Sequence, residues 1–228
     1  MEENIKAAKT LVIFDFDGVL HPDTEKTIKR HLAVAKEMGL PLTQEVLVYH
    51  WGHVYVSVLI PTIAKEMGWP EGIHKEFIKI ILSSDASDNN GNPYPEVKLQ
   101  LASLEDVDKT ILSSREKDTL DILLDKLEIG GKFMYIQSAD CCPHHKPSRE
   151  SFLPTLEFIK DKNYDRIFYV GDTIKFDYAA IRDHFPEITF IGVESILVSR
   201  EGFRQAGVKH VVSNIDEIAV LIKNNSLI

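Results

Sequence analysis

Cysteine is nearly missing: 228 residues contain two, adjacent at Cys141 and Cys142. Neighbouring cysteines cannot build a disulfide framework, and so few thiols fit a reducing, cytoplasmic setting. No apolar run reaches bilayer-spanning length, and residues 1–10 lack the pattern of a secretion signal, so no membrane partner is expected. Positive charge is in deficit, with 26 Lys and Arg against 35 Asp and Glu and a formal net charge of −9. Without a basic block, no nucleic-acid partner is expected either. Internal repeats and low-complexity tracts are also absent. What remains is a chain long enough to bury a sizeable core, as one large domain or as a core with a smaller insertion.

Residues 11–14, Leu-Val-Ile-Phe, form a short apolar, β-branched run that reads as a strand buried on both faces of a parallel sheet. Asp15, Asp17 and Gly18 follow at once. Residues i and i+2 of a strand point the same way, so both carboxylates leave the strand end on one side, and Gly18 lets the chain turn. Ligands of open α/β sheets bind outside the carboxyl ends of strands. A pair of acids there can hold a cation, attack a substrate or exchange a proton. A calcium loop fails on spacing: counted from Asp15, the fifth and sixth positions are Val19 and Leu20, and the twelfth is Lys26 instead of Glu.

From Asp23 the pattern turns helical. Ile28, Leu32, Ala35 and Met38 recur at helical spacing, Asp23 or Thr24 can cap, and Gly39 with Pro41 stops the helix. A second stretch starts at Thr43, carries Tyr49, His50, Trp51 and His53, and is punctuated by Pro61 and by Gly68-Trp69-Pro70. A third covers residues 74–82, and residues 83–95 read as a loop. Strand signals are scarce here, so residues 21–91 are expected to form a small helical unit inserted after the first strand. Beyond Pro95, helices at 96–104, 116–127, 149–160, 174–183, 200–206 and 215–222 alternate with strands at 110–112, 133–136, 166–170, 188–192 and 210–212. This alternation predicts an α/β fold, a doubly wound parallel sheet formed by residues 1–20 and 92–228.

Further polar residues fall on the same expected rim. Ser113 and Ser114 follow the strand at 110–112, Lys146 lies in a loop before Pro147, Gly171-Asp172 closes the strand at 166–170, and Asp177 comes five residues later. Singly, these read as a helix cap, a solvated cation and a turn. In this order they resemble the haloacid dehalogenase superfamily of phosphohydrolases, through Asp15-Phe-Asp17-Gly-Val, Ile111-Leu-Ser113-Ser, Lys146-Pro147 and Gly171-Asp172-Thr-Ile-Lys-Phe-Asp177. The ending, Phe190-Ile-Gly-Val and Ala206-Gly-Val-Lys-His-Val-Val, is similar to the phosphoglycolate phosphatase-like branch, as is Tyr94-Pro95-Glu-Val at the return from the helical unit. His21-Pro22 departs from that branch, where an acidic residue and Ser or Thr normally follow directly.

The resemblance implies a Mg²⁺-dependent phosphatase acting on a small-molecule phosphate ester, with residues 21–91 as its cap. It implies Asp15 as nucleophile and Asp17 as the acid that protonates the leaving alkoxide and then activates water. Asp17 would then have to gain a proton from its surroundings. Dehalogenases of the superfamily share the nucleophile and lack the second acid. Ser113 and Lys146 are implied in catalysis, and Gly18, Ser113, Ser114 and Lys146 in substrate binding. Asp15, Asp17 through its backbone carbonyl, Asp172 and Asp177 are implied around the metal. Phosphate monoester hydrolysis needs this much help, since enzymes accelerate it by up to ~10²¹. The alternatives are a sugar phosphomutase of the same superfamily and a non-catalytic binding protein that keeps the fold. Cys141-Cys142-Pro143-His144-His145 offers zinc-binding atoms without finger spacing and reads as a loop flanking the site. Tyr49, Trp51 and His53 read as packing residues, with a substrate-facing role as the alternative.

Overall fold

The computed structural model describes residues 8–51, 56–86 and 94–223, so His53 and the expected boundary at 91/92 lie outside the described residues. Six strands form one parallel sheet: β1 (Thr10–Phe14), β2 (Asp108–Leu112), β3 (Tyr135–Gln137), β4 (Arg166–Gly171), β5 (Thr189–Val193) and β6 (His210–Val212), in the order β3-β2-β1-β4-β5-β6. β1 is central, with Ile13 facing Thr110 on one side and Tyr169 on the other. Every residue of β1 is buried, as its unbroken apolar run requires.

Among the described residues five helices come between β1 and β2, of which the first four form a unit: α1 (Thr24–Glu37), α2 (Gln44–His50), α3 (Val56–Glu66) and α4 (Ile73–Ala86). They bury their own apolar cluster, in which Ile28, Leu47, Ile60, Ile63 and Phe77 are sealed from solvent, and Ile196 and Leu197 from the loop after β5 pack against it. The remaining helices are α5 (Pro95–Ala102), α6 (Lys117–Leu127), α7 (Leu153–Ile159), α8 (Ala179–His184), α9 (Arg200–Gln205) and α10 (Ile215–Lys223). Val12 and Phe14 of β1 join the cluster formed with α5, α6 and α10, whereas Leu11 and Ile13 join α7, α8 and α9. Alternation along one strand thus feeds two layers of helices, which makes the sheet doubly wound.

Three expected elements differ. Pro61 lies inside α3 and does not end it. The ring removes one intrahelical hydrogen bond, and burial of Ile60, Ile63 and Ala64 around it holds the helix. The helix expected at 149–160 begins as a 3₁₀ turn, Arg149–Phe152, with α7 starting beside Pro154, which has no N–H to lose. The helix expected at 174–183 opens with a π-helical turn, Ile174–Tyr178, in which the Tyr178 N–H reaches the Thr173 carbonyl at 3.1 Å.

Candidate active site

The winding of the sheet changes direction between β1 and β4, whose outer neighbours lead to opposite edges. Such a switch point leaves a crevice at the carboxyl ends of the strands. Asp15 follows β1 there and Asp172 follows β4, and both border a cavity of about 410 Å³ that also reaches Asp17, Lys146 and Asp177.

The turn after β1 sets the first two acids. The Asp15 N–H still donates to the Val170 carbonyl at 2.8 Å, while the Phe16 carbonyl accepts from Leu20 and His21, both at 2.9 Å. Gly18 adopts φ +79°, and a Cβ there would stand 2.0 Å from Asp172 Oδ2. Gly18 therefore serves both the turn and the space that Asp172 occupies.

Behind the turn lies a buried network. Lys146 Nζ stands 2.9 Å from Asp15 Oδ1 and donates to Asp177 Oδ1 at 2.8 Å and to Tyr169 Oη at 3.1 Å. Tyr169 Oη donates to Asp177 Oδ1 at 2.9 Å, and Asp177 Oδ2 accepts from the Thr173 N–H at 3.1 Å and from the Thr173 hydroxyl. Both oxygens of Asp177 are thus engaged. Asp172 is equally buried, yet its Oδ2 has no hydrogen-bond partner. Asp15, Asp172 and Asp177 each offer an oxygen within 4.8 Å of the others.

These contacts set the protonation states. Burial pushes Asp15 up to about 7, with Lys146 opposing and Asp177 reinforcing the rise. Burial, then the charges of Asp15 and Asp177, raise Asp172 well above the carboxylate range. Burial works against the charge on Lys146, but Asp15 and Asp177 outweigh it and hold the ammonium firmly protonated.

Asp17 is placed differently from the expectation that its surroundings would give it a proton. Burial favours the neutral acid, but the Arg115 guanidinium, with both Nε and Nη2 directed at the carboxylate, and the His21 ring outweigh it. Asp17 is therefore held ionised, below the ordinary carboxylate range. His21 is sandwiched against Phe16 and Tyr94, with Nδ1 3.1 Å from Asp23 Oδ1 and 3.6 Å from Asp17 Oδ1. Burial would lower its pKa, yet the two carboxylates raise it to about 9.

The second motif is split. Ser114 and Arg115 line the cavity, whereas Ser113 sits behind them, its N–H donated to the Gln137 carbonyl and its Oγ accepting the Arg115 N–H at 3.0 Å. Arg115 and Tyr169 were missed from the sequence. Arg115 lies two residues past Ser113 in the same loop, and Tyr169 is a phenol inside an apolar strand whose hydroxyl needs a partner. Cys141 is exposed, and Cys142 Sγ accepts the His144 N–H at 3.4 Å. Among the described residues, the groups suited to hold a metal contain neither cysteine. Trp51 borders the cavity, and Tyr49 is exposed away from it.

A parallel sheet with a buried cluster of three carboxylates at its switch point places this chain among the α/β proteins whose ligand site lies at the carboxyl ends of the strands. The family model for haloacid dehalogenase-like hydrolases matches residues 12–184, and the chain belongs to that family. No curated protein sequence matches it. Among solved structures it is similar to a Thermotoga maritima protein provisionally described as a β-phosphoglucomutase, at 20% identity and TM-score 0.66 over 94% of this chain and 99% of that one. It is also similar to a predicted phosphoglycolate phosphatase from Haemophilus somnus, at 18% identity and TM-score 0.65 over 93% and 97%. The L-2-haloacid dehalogenase of Xanthobacter autotrophicus matches at 18% identity and TM-score 0.61 over 94% and 98%. At such identities the likeness is one of fold, which several chemistries share. No helix among the described residues is long and apolar enough to cross a membrane.

Proposed function

We propose that this protein is a Mg²⁺-dependent phosphatase that hydrolyses a small phosphorylated metabolite through an aspartyl-phosphate on Asp15. The observation that carries this reading is the charge at the cavity floor. Three buried carboxylates converge there, the Lys146 ammonium bonds two of them, and Asp172 Oδ2 is left without a partner. An all-oxygen donor set with an unpartnered buried oxygen fits a hard divalent cation, which would draw these carboxyls into their ionised form. Asp15, Asp172 and the backbone carbonyl of Asp17 would hold it, and Asp177 would support them through Lys146. When bound, the cation offsets the repulsion between the Asp15 carboxylate and a phosphate dianion.

The chain's own groups supply the remaining chemistry. The Asp15 carboxylate attacks phosphorus, the ester P–O bond breaks, and the phosphoryl group passes to Asp15. Lys146, held between Asp15 and Asp177, orients the nucleophile and neutralises phosphate charge. An incoming phosphate competes with Asp17 for the Arg115 guanidinium. Released from that pair and set beside anions, Asp17 takes up a proton more readily and delivers it to the leaving alkoxide. Ionised again, it accepts a proton from the water that attacks the phosphorylated Asp15, and phosphate leaves. Residues 21–91 serve as a cap over the core of residues 1–20 and 92–228, excluding water while Asp15 is phosphorylated.

Hydrolysis of p-nitrophenyl phosphate tests the reading. Turnover is expected with Mg²⁺, none after exhaustive chelation, and recovery when Mg²⁺ returns. Full activity in the chelated protein would sink the metal assignment. Transfer of the phosphoryl group to a sugar phosphate in preference to water would make the protein a mutase.

A further inference from the structure

The cavity has two chemically different ends. Its floor is the acid cluster already described. Its apolar lining comes from the helical unit and from two residues of the core: Trp51 after α2, Val56 and Leu59 of α3, Ile81 of α4, Phe176 of the π-helical turn and Leu197 of the loop after β5. Leu59, Ile81 and Phe176 are buried, and Trp51, Val56 and Leu197 are half-buried. A ligand whose phosphate rests on the floor must place its organic part against these side chains.

Several polar groups on this side already have local partners. Thr27 Oγ1 donates to Asp23 Oδ2 at 3.0 Å, and His31 Nδ1 lies 2.8 Å from the Thr27 carbonyl. The His31 ring packs edge-on against Trp51, with centroids 5.7 Å apart. Thr119 Oγ1 donates to the Glu116 carbonyl at 3.0 Å. A polyhydroxylated group entering here would surrender its hydrogen bonds to water against a mainly apolar wall, which costs affinity. An aryl or alkyl group would bury its surface there without giving up hydrogen bonds of its own.

We propose that the ester this site takes has an apolar organic part, an aryl or alkyl group and not a sugar or polyol. This rests on the phosphatase reading of the floor and adds the substrate class to it. The wall is formed by six residues from five separate stretches of chain, so it exists only in the folded arrangement that also assembles the floor.

The test compares kcat/KM for 3-phenylpropyl phosphate and glycerol 3-phosphate. Both are esters of unactivated primary alcohols, so their leaving groups make similar demands on Asp17. The phenylpropyl ester is expected to be favoured by about tenfold or more, the range that apolar pocket contacts deliver. Trp51→Ala should narrow that ratio, and Leu197→Ala, at a separate half-buried position, should narrow it independently. Equal or better hydrolysis of the glycerol ester overturns the apolar assignment and leaves the phosphatase reading standing. A ratio unmoved by both variants overturns the assignment of the wall. Failure to hydrolyse either ester or p-nitrophenyl phosphate, with Mg²⁺ present, overturns the phosphatase reading and this inference with it.

Discussion

Asp172 and Asp177 are buried carboxylates on one rim whose oxygens have different fates. Asp177 accepts from Lys146, Tyr169 and Thr173, whereas Asp172 keeps an oxygen unpartnered. Asp177→Ala should therefore destabilise the fold by about 3–5 kcal/mol, as breaking one side of a buried ion pair does. Asp172→Ala should leave the cation-free protein at least as stable, because it removes a buried carboxyl group whose Oδ2 has no partner, and should abolish Mg²⁺ binding. Urea unfolding and titration calorimetry on both variants check this, and the reverse pattern would show the ligands wrongly assigned. The same electrostatics fix a pH dependence. A carboxyl raised in the folded state contributes stability that is fully present below its unfolded value of 3.8 and lost as pH rises through the folded value, about 7 for Asp15. Asp172 acts in the same direction. His21, raised from 6.5 to about 9, contributes stability that is lost as pH climbs through that interval. Between pH 4 and 9 the cation-free protein should lose thermal stability, and the rise in Tm on adding Mg²⁺ should be larger at pH 8 than at pH 5, because the cation needs the carboxylates deprotonated. A Mg²⁺ effect that shrinks with pH would contradict this. At Asp17, replacement by Asn keeps the shape and removes the proton transfer. Alkyl esters should lose ~10²–10⁴ in kcat, and p-nitrophenyl phosphate, whose phenol leaves more easily, should lose less. Equal losses would assign Asp17 a purely geometric role.

At the scale of elements, the two turns that follow β1 and β4 are built around each other. Gly18 passes so close to Asp172 that Gly18→Ala would drive a methyl group into Oδ2 at a backbone angle that L-residues rarely adopt. Expression with lowered Tm and at least tenfold weaker Mg²⁺ binding is expected, whereas a wild-type binding isotherm would show that this turn yields without cost. The glycine was legible in the sequence as a turn residue, but its second duty depends on β4 arriving beside β1, which the local sequence does not announce. The π-helical turn at Ile174–Tyr178 escaped notice for a similar reason. Its residues carry a helical pattern, and the wider winding accompanies Asp177 reaching back to Thr173. Strand positions were easier, because continuous burial writes itself as apolar runs such as residues 11–14, and because a helix must intervene between parallel neighbours.

For the whole molecule, the parallel sheet, its two helical layers and the helical unit after β1 follow from periodicity, and the acids on the rim follow from their place after strands. Periodicity cannot say which long side chains cross the rim. Arg115 pairs with Asp17 across 98 residues of sequence, and Tyr169 turns its hydroxyl to Lys146 and Asp177 from within an apolar strand. Those contacts bear on protonation states: Arg115 and His21 hold Asp17 ionised, which residue type and spacing alone do not announce. The proposed chemistry depends above all on a covalent role for Asp15. The direct measurement is a rapid acid quench of the Mg²⁺-loaded enzyme during turnover of p-nitrophenyl phosphate, followed by mass spectrometry of its peptides. One phosphoryl group is expected on the peptide containing Asp15, and both it and turnover should be lost when Asp15 is replaced by Asn. Sustained turnover by Asp15→Asn, or a phosphoryl group trapped on any other residue, would contradict it.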